Sequence, residues 1–219
     1  MKKVSSYYAP EVNLPPATRD DLIVRPDVLR LTFQVQIRGT FASPEALSRV
    51  QQECERLRRQ LREATGTEVT LKPTGVLLAP APAKKLRLPE DDDDARTGVE
   101  GTLDIPLPTS LDFWARAART AALERACHEL AAEGRGERGR PSMSFGTPSA
   151  LVAEPELHRT ELLRRFVARV QEFSLAASAS EAPLGVVDCT VPGPVVQAPI
   201  SLEAVALSLQ FTYRLDVPA

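Results

Sequence analysis

Cysteine and histidine are both scarce in this sequence. Its 219 residues include three cysteines, Cys54, Cys127 and Cys189, and two histidines, His128 and His158. The cysteines form no CxxC pair, and the histidines form no HExxH motif or similarly spaced ligand set. Neither a disulfide framework nor a common zinc site is therefore indicated. We predict no metal and no cofactor, and we expect a cytoplasmic protein with reduced thiols.

The sequence also lacks long apolar runs and an excess of positive charge. No stretch approaches the roughly 20 apolar residues of a membrane span. The opening Met1-Lys2-Lys3 is not followed by the apolar segment of an export signal. Lys and Arg number 27 against 29 Asp and Glu, for a net charge of -2. Nucleic-acid binders usually carry a positive excess, so this composition disfavours nucleic acid as a partner.

What is present is typical of a globular chain, with 43% hydrophobic and 26% charged residues. Four prolines and no periodicity mark residues 1–26, which we interpret as an extended N-terminal arm. One domain is predicted over residues 27–219. Within it, residues 79–98 join an Ala-Pro run to blocks of basic and then acidic residues, which predicts a solvated, charged insertion.

The domain begins with a pattern of strand, helix and strand. A period-2 run predicts a strand with one buried face, formed by Leu29, Leu31, Phe33, Val35 and Ile37. Ser43 and Pro44 then predict a helix start, and Gly66 predicts its end. The helix carries apolar residues at spacings of three and four: Leu47, Val50, Cys54, Leu57, Leu61 and Ala64. A second strand follows from Val69.

The rest of the chain mixes strands and helices. Residues 99–107 alternate like a strand, and Ser110 is predicted to cap a second helix. The apolar stripe predicted for that helix is Phe113, Trp114, Ala117, Ala118 and Ala121. Residues 143–152 predict a short strand interrupted near Pro148.

A third helix is predicted from about residue 155 to 177, with the stripe Leu163, Phe166, Val170, Phe173 and Ala177. Residues 184–189 predict a buried strand, and residues 205–215 predict one long strand with its apolar residues on a single face. Intermixed helices and strands predict an α+β fold, a mostly antiparallel sheet with helices packed on one face.

This order of elements resembles the SIMPL-domain family, whose bacterial members are mostly uncharacterised. Pro26-Asp27 leads into the first strand, and the first helix ends at Gly66. The best local match is the small-residue helix end at Ala176-Ala177 followed by Leu184-Gly185 and an apolar strand. Pro192-Gly193-Pro194 then precedes the terminal strand, as in that family. The resemblance implies an α+β fold, a tendency to form homo-oligomers, including ring-like ones, and no established enzymatic activity.

Residues with catalytic potential are few, and they cluster in the second helix. Cys127 and His128 are neighbours, but successive side chains on a helix point about 100° apart and cannot face one another as nucleophile and base. We therefore assign no catalytic residue. The alternative function is a small-molecule or anion-binding enzyme with a site at Arg125, Cys127 and His128, near the second half of this helix.

The leading hypothesis is a non-catalytic, SIMPL-like protein that self-associates and acts as a scaffold or binding component. Exposed aromatic residues are favoured interface anchors, and an open strand edge invites pairing with another chain. The candidate interface residues are Tyr7 and Tyr8 in the arm and Phe211 and Tyr213 in the terminal strand. The expected partners are further copies of the chain or another protein.

Overall fold

The computed structural model describes residues 21–38, 43–79, 96–133, 141–178, 185–210 and 213–216. The described elements, in chain order, are β1 (Leu22–Val24), β2 (Val28–Arg38), α1 (Pro44–Thr65), β3 (Thr70–Ala79), β4 (Arg96–Pro106), α2 (Phe113–Glu133), β5 (Ser142–Phe145), β6 (Ser149–Leu151), a 3-10 helix (Pro155–His158), α3 (Arg159–Ser178), β7 (Gly185–Cys189), β8 (Val195–Ser201), β9 (Ala204–Leu209) and β10 (Tyr213–Asp216). Strand β1 lies within the predicted arm. Strand β3 ends at Ala79 and strand β4 begins at Arg96, at the two borders of the predicted insertion.

By its contacts the chain divides into two compact units, where the sequence predicts one domain over residues 27–219. The larger unit comprises Val24–Ala153 and Pro199–Val205. The smaller unit comprises Met1–Ile23, Glu154–Ala198 and Ala206–Ala219. A three-stranded sheet has the order β1-β9-β8, and β7 pairs with β10 in a two-stranded one.

The larger unit is built on a sheet of order β3-β4-β2-β5, with β6 also pairing with β2. Every pairing in this sheet is antiparallel. Helix α1 packs on β2 and β4, α2 packs on β5, and the two helices contact each other. The chain order β-α-β-β-α-β with this strand order is the ferredoxin-like, split β-α-β arrangement. The α+β prediction is confirmed.

Strand β2 shows why the sheet has one covered face. Leu29, Leu31 and Phe33 are buried and alternate with more exposed polar residues, as predicted. They pair across β4 with Ile105, Leu103 and Gly101, so that the apolar residues of the two strands share the helix-bearing face. Gly101 is required by close packing: a Cβ there would lie 2.3 Å from the carbonyl oxygen of Lys72.

Helix α1 begins and ends where local sequence predicts. The Ser43 hydroxyl accepts a hydrogen bond from the Ala46 amide, and Gly66 has a φ of 66° and donates to the Arg62 carbonyl. The buried residues of the helix are Ala46, Val50, Leu57, Leu61 and Thr65. Leu47, which the sequence places in the apolar stripe, is 41% exposed.

Helix α2 departs from the prediction at its start and in its buried face. Its N-cap is Asp112 and not Ser110, because the Asp112 carboxylate accepts a hydrogen bond from the Ala115 amide at 2.7 Å. Phe113 and Trp114 form an edge-to-face pair with ring centroids 5.2 Å apart, and both rings are exposed. The residues buried instead are Arg116, Leu123, Ala126, Cys127 and Leu130.

The buried guanidinium of Arg116 explains this orientation of α2. Its side chain is fully buried, and it donates to the main-chain carbonyls of Pro26, Leu202, Pro108 and Leu111 at 2.9–3.2 Å. A buried cation is tolerated only with such partners. Arg116 thus joins four separate points of the chain within the larger unit.

In the smaller unit, α3 is a largely uncovered helix. Among its described side chains only Leu162 is buried, and Phe173 is 52% exposed. Of the predicted stripe, Leu163, Phe166 and Val170 are half-buried and Phe173 is exposed, so among the described side chains the stripe is only partly covered. The 3-10 helix before it is joined to the chain around β8, since Glu156 accepts from the Val195 amide at 2.8 Å and Arg159 donates to the Gly193 carbonyl at 3.0 Å.

The terminal segment forms two strands in different sheets, where the sequence predicts one long strand. Strand β9 pairs with β8 and β1, whereas β10 pairs with β7. Val205, Ala206 and Leu207 are buried in succession, so their burial does not alternate. Strand β10 places Tyr213 opposite Cys189. The interrupted strand near Pro148 is confirmed as β5 and β6.

Candidate functional site

The predicted site on α2 corresponds to a shallow cavity of about 370 Å³ between α2 and β5. Cys127 and His128 line it together with Glu124 from the preceding turn and Phe145 from β5. Arg125 does not line this cavity and is exposed. The structure therefore brings two of the three predicted residues to one concave surface and leaves the third outside it.

The chemistry of this cavity does not include an activated thiol. Burial, together with the negative charge of Glu124, raises the pKa of Cys127 to about 12. A nucleophilic cysteine requires the opposite shift, toward the thiolate at neutral pH. Cys127 is thus a protonated core residue at the cavity floor, and the His128 side chain beside it is exposed.

The predicted interface residues fall mostly outside the described residues. Tyr7, Tyr8 and Phe211 lie outside them, and for Tyr213 the structure describes the backbone of β10 alone. Among the described residues, no cluster of three or more histidine, cysteine, aspartate and glutamate side chains could hold a metal ion. None of the described helices combines the length and apolar character needed to cross a bilayer.

A second surface, which sequence reasoning missed, is the free edge of β3. The strand is the last in its sheet, with β4 on one side and no other described strand pairing on the other. Pro73 is typical of an edge strand, because it has no amide proton for a central ladder. Val76 is 58% exposed and Leu78 is 47% exposed, which places apolar side chains at this edge.

A groove of about 450 Å³ runs beside β3, between this strand and α1. Its apolar lining includes Val50, Cys54, Leu71 and Val99. Val99 pairs with Val76 across the sheet, so the groove continues toward the exposed edge residues. The groove and the edge therefore form one continuous surface, which we call the β3 surface.

The rim of this groove is polar, and its charged side chains pair with one another. Arg58 lies 3.8 Å from Glu55 and 4.0 Å from Glu68, and both glutamates also line the groove. Burial raises the pKa of Cys54 to about 11, with further contributions from Glu55 and Glu53. The groove thus offers an apolar floor, a protonated thiol and a rim whose charged side chains pair with one another, which suits apolar protein side chains better than an ionic ligand.

The uncovered face of the same sheet carries an ion-pair network. Asp104 in β4 binds Arg30 in β2 at 2.6 Å and Lys72 in β3 at 2.7 Å. Burial alone raises the pKa of Asp104, but the hydrogen bonds from Arg30 and Lys72 outweigh it and hold the pKa below its ordinary value. The network connects three adjacent strands on the face opposite the helices.

A polar concavity of about 480 Å³ lies on that same face. Its lining includes Thr32, Gln34, Glu100 and Thr102 from the two central strands, with Ser144 from β5. The Gln34 amide donates weakly to the Glu100 carboxylate at 3.4 Å. Hydroxyl, amide and carboxylate groups of this kind can hydrogen-bond to a polar ligand.

The solved structures that are distantly similar to this chain include an amidase and an uncharacterized conserved protein. No family model matches the chain, and no curated protein matches it significantly. An amidase of the hydantoinase/carbamoylase family from Burkholderia phymatum is similar over 64% of this chain and 35% of its own, at 13% identity and a TM-score of 0.28. An uncharacterized conserved protein from Listeria innocua is similar over 89% of this chain and 94% of its own, at 11% identity and a TM-score of 0.21. The chain thus spans about a third of the amidase, and at such TM-scores neither likeness bears on fold or function.

Proposed function

We propose that this protein is a non-catalytic, SIMPL-like binding component that self-associates and serves as a scaffold in the cytoplasm. The single observation that favours it is the β3 surface, where an open strand edge carries exposed Val76 and Leu78 beside an apolar groove. Unpaired edges with apolar side chains are templates for pairing with another chain. The raised pKa of Cys127 also counts against a nucleophilic enzyme at the α2 cavity.

The test is the absolute mass of the full chain in solution, measured by light scattering across a concentration series. We expect a mass that is a multiple of the chain's own. Replacing both exposed edge residues by lysine (Val76→Lys with Leu78→Lys) should reduce the mass to that of a monomer, because burying two unpaired charges opposes association.

The matched control is Val196→Lys, an exposed valine in a strand outside the β3 surface. It should leave the assembly unchanged. A wild-type chain that is monomeric at every concentration would overturn the self-association proposal. If the assembly persists with both lysines in place, the interface lies outside the β3 surface.

The second candidate function is binding of a small molecule in the α2 cavity. It is favoured by the cavity itself, which combines the apolar Met143 and Phe145 with the polar Glu124 and His128. Its volume of about 370 Å³ is at the low end for ligand pockets. The reactivity of Cys127 toward a thiol reagent tests whether this cavity holds a nucleophile.

A further inference from the structure

We infer that two copies of the chain pair through the second half of β3, antiparallel and about a two-fold axis at Leu77. This inference rests on the proposed self-association and names the surface and register by which it occurs. Residues 75–79 of each copy, Gly-Val-Leu-Leu-Ala, form the pairing segment. The two sheets then join into one continuous sheet with the helices of both copies on the same face.

The two halves of β3 differ in how well they are protected from pairing. The first half carries Lys72, Pro73 and a register shift between Pro73 and Gly75. A charge, a proline and a bulge are the devices by which natural edge strands avoid pairing. The second half has none of these, and it exposes Val76 and Leu78. Pairing is therefore expected at residues 75–79.

The pairing partners in β4 define which way the edge side chains point. Val76 pairs with Val99 and Leu78 pairs with Thr97. Val99 in turn pairs with the buried Val35, so Val76 and Leu78 lie on the helix-bearing face. Leu77 pairs with Gly98 and lies on the opposite face.

The register follows from self-complementarity. In an antiparallel pair centred on Leu77, Val76 of one copy lies opposite Leu78 of the other, and the reverse pair forms by symmetry. Both exposed apolar side chains are then covered by cross-strand contacts on the helix-bearing face. Centring on Val76 would instead set Leu78 opposite Thr74, within the irregular stretch between Pro73 and Gly75. The pairing at Leu77 is thus the register that buries both residues within the unprotected segment.

The decisive experiment uses charges placed across the predicted pair. In the variant Val76→Lys with Leu78→Glu, each lysine should face a glutamate of the other copy, so the assembly mass by light scattering should be retained. In Val76→Lys with Leu78→Lys, like charges face one another and the assembly should dissociate. Registers centred on residue 76 or 78 would put like charges opposite in both variants, and loss of assembly in both would overturn the inference.

A disulfide supplies an independent measurement. Leu77→Cys is introduced into a chain with Cys54→Ala and Cys189→Ala, and oxidised glutathione serves as the oxidant. Two protein thiols give one disulfide while one oxidised glutathione is reduced to two thiols. Residues directly opposite in an antiparallel pair have Cα atoms about 4.5–5.5 Å apart, which a disulfide can span. Nearly complete conversion to a covalent dimer that dithiothreitol reverses is expected.

The matched control is Thr70→Cys, seven residues from the axis on the same strand. Its two copies would lie about 46 Å apart at about 3.3 Å per residue, so no dimer should form. If the mass shows an assembly but Leu77→Cys cross-links no better than Thr70→Cys, this inference fails while the proposed self-association stands. If the chain is a monomer, both fail.

Discussion

At the residue scale, the buried guanidinium of Arg116 connects segments of the larger unit that are distant in sequence. We expect Arg116→Met to lower the free energy of unfolding by about 3 kcal/mol, because it removes a fully buried charged donor from the four main-chain carbonyls that it serves. Burial itself lowers the pKa of this guanidinium, and the neighbouring Arg25 adds to that effect. Urea denaturation followed by circular dichroism measures the loss.

The control for Arg116 lies one turn further along the same helix. Arg119 donates a single exposed hydrogen bond, to the Pro106 carbonyl at 3.1 Å. Arg119→Met should cost less than about 1 kcal/mol. Equal losses in the two variants would mean that the buried guanidinium is no more important than a surface one.

The thiols of the folded protein give a second prediction at this scale. With pKa values of about 12 and about 11, Cys127 and Cys54 should be almost entirely protonated at pH about 8. In a Cys189→Ser variant, we expect Ellman's reagent to label both slowly in the native state and rapidly after denaturation. Rapid labelling of Cys127 in the native state would contradict its burial and would support a nucleophilic site in the α2 cavity.

At the element scale, the Asp104 network links three strands, and it should make the sheet sensitive to acid. Because the pKa of Asp104 is below its ordinary value of 3.8, its ionised form stabilises the fold above that value. This contribution is lost as the pH falls through the lower, native pKa. At pH about 7, Asp104→Asn should reduce the free energy of unfolding by about 1–3 kcal/mol.

The pH dependence of that difference is the test. The free energies of unfolding of wild type and Asp104→Asn should differ at pH about 7, and the difference should be smaller at pH about 2, because the wild-type carboxylate takes up its proton as the pH falls through its lowered native pKa. Glu129→Gln, at an exposed position on α2, is the control and should have little effect at either pH. A difference that persists unchanged into acid would show that charge on Asp104 is not what stabilises the strands.

The same scale shows which elements can be predicted from the sequence. The ends of α1 follow from Ser43 and Gly66, whose effects are local to one turn. The buried face of α2 does not follow, because Trp114 is more apolar than Arg116 yet is exposed. What decides between them is a set of carbonyl groups from Pro26, Pro108 and Leu202, which are distant in sequence and meet only in the fold.

At the scale of the whole molecule, the proposed self-association through β3 would make the stability of the protein depend on its concentration. An assembled native state that dissociates on unfolding is stabilised by mass action. We therefore expect the melting temperature of the wild-type chain to rise with protein concentration, as measured by calorimetry. The variant with lysine at positions 76 and 78 should melt at a temperature independent of concentration, and a rising value in that variant would contradict the β3 interface.

The β3 surface shows why a sequence pattern can fail to reveal a candidate site. Val76, Leu77 and Leu78 form a plain apolar run, which fits a buried strand as well as an edge. Pro73 is the local signal that could have indicated an edge. The order β3-β4-β2-β5 is needed to show that one side of the strand is free among the described strands, and this order depends on pairings between residues at least 17 positions apart.

The sequence by itself determined the fold class, the alternation of β2, and the start and end of α1, since each depends on periodicity or on contacts within a few residues. Tertiary structure alone decided which face of α2 is buried, that residues 205–215 divide between two sheets, and which strand is left at an edge. These outcomes depend on the pairing and packing of distant segments, and a local pattern compatible with several partners does not specify which one it meets.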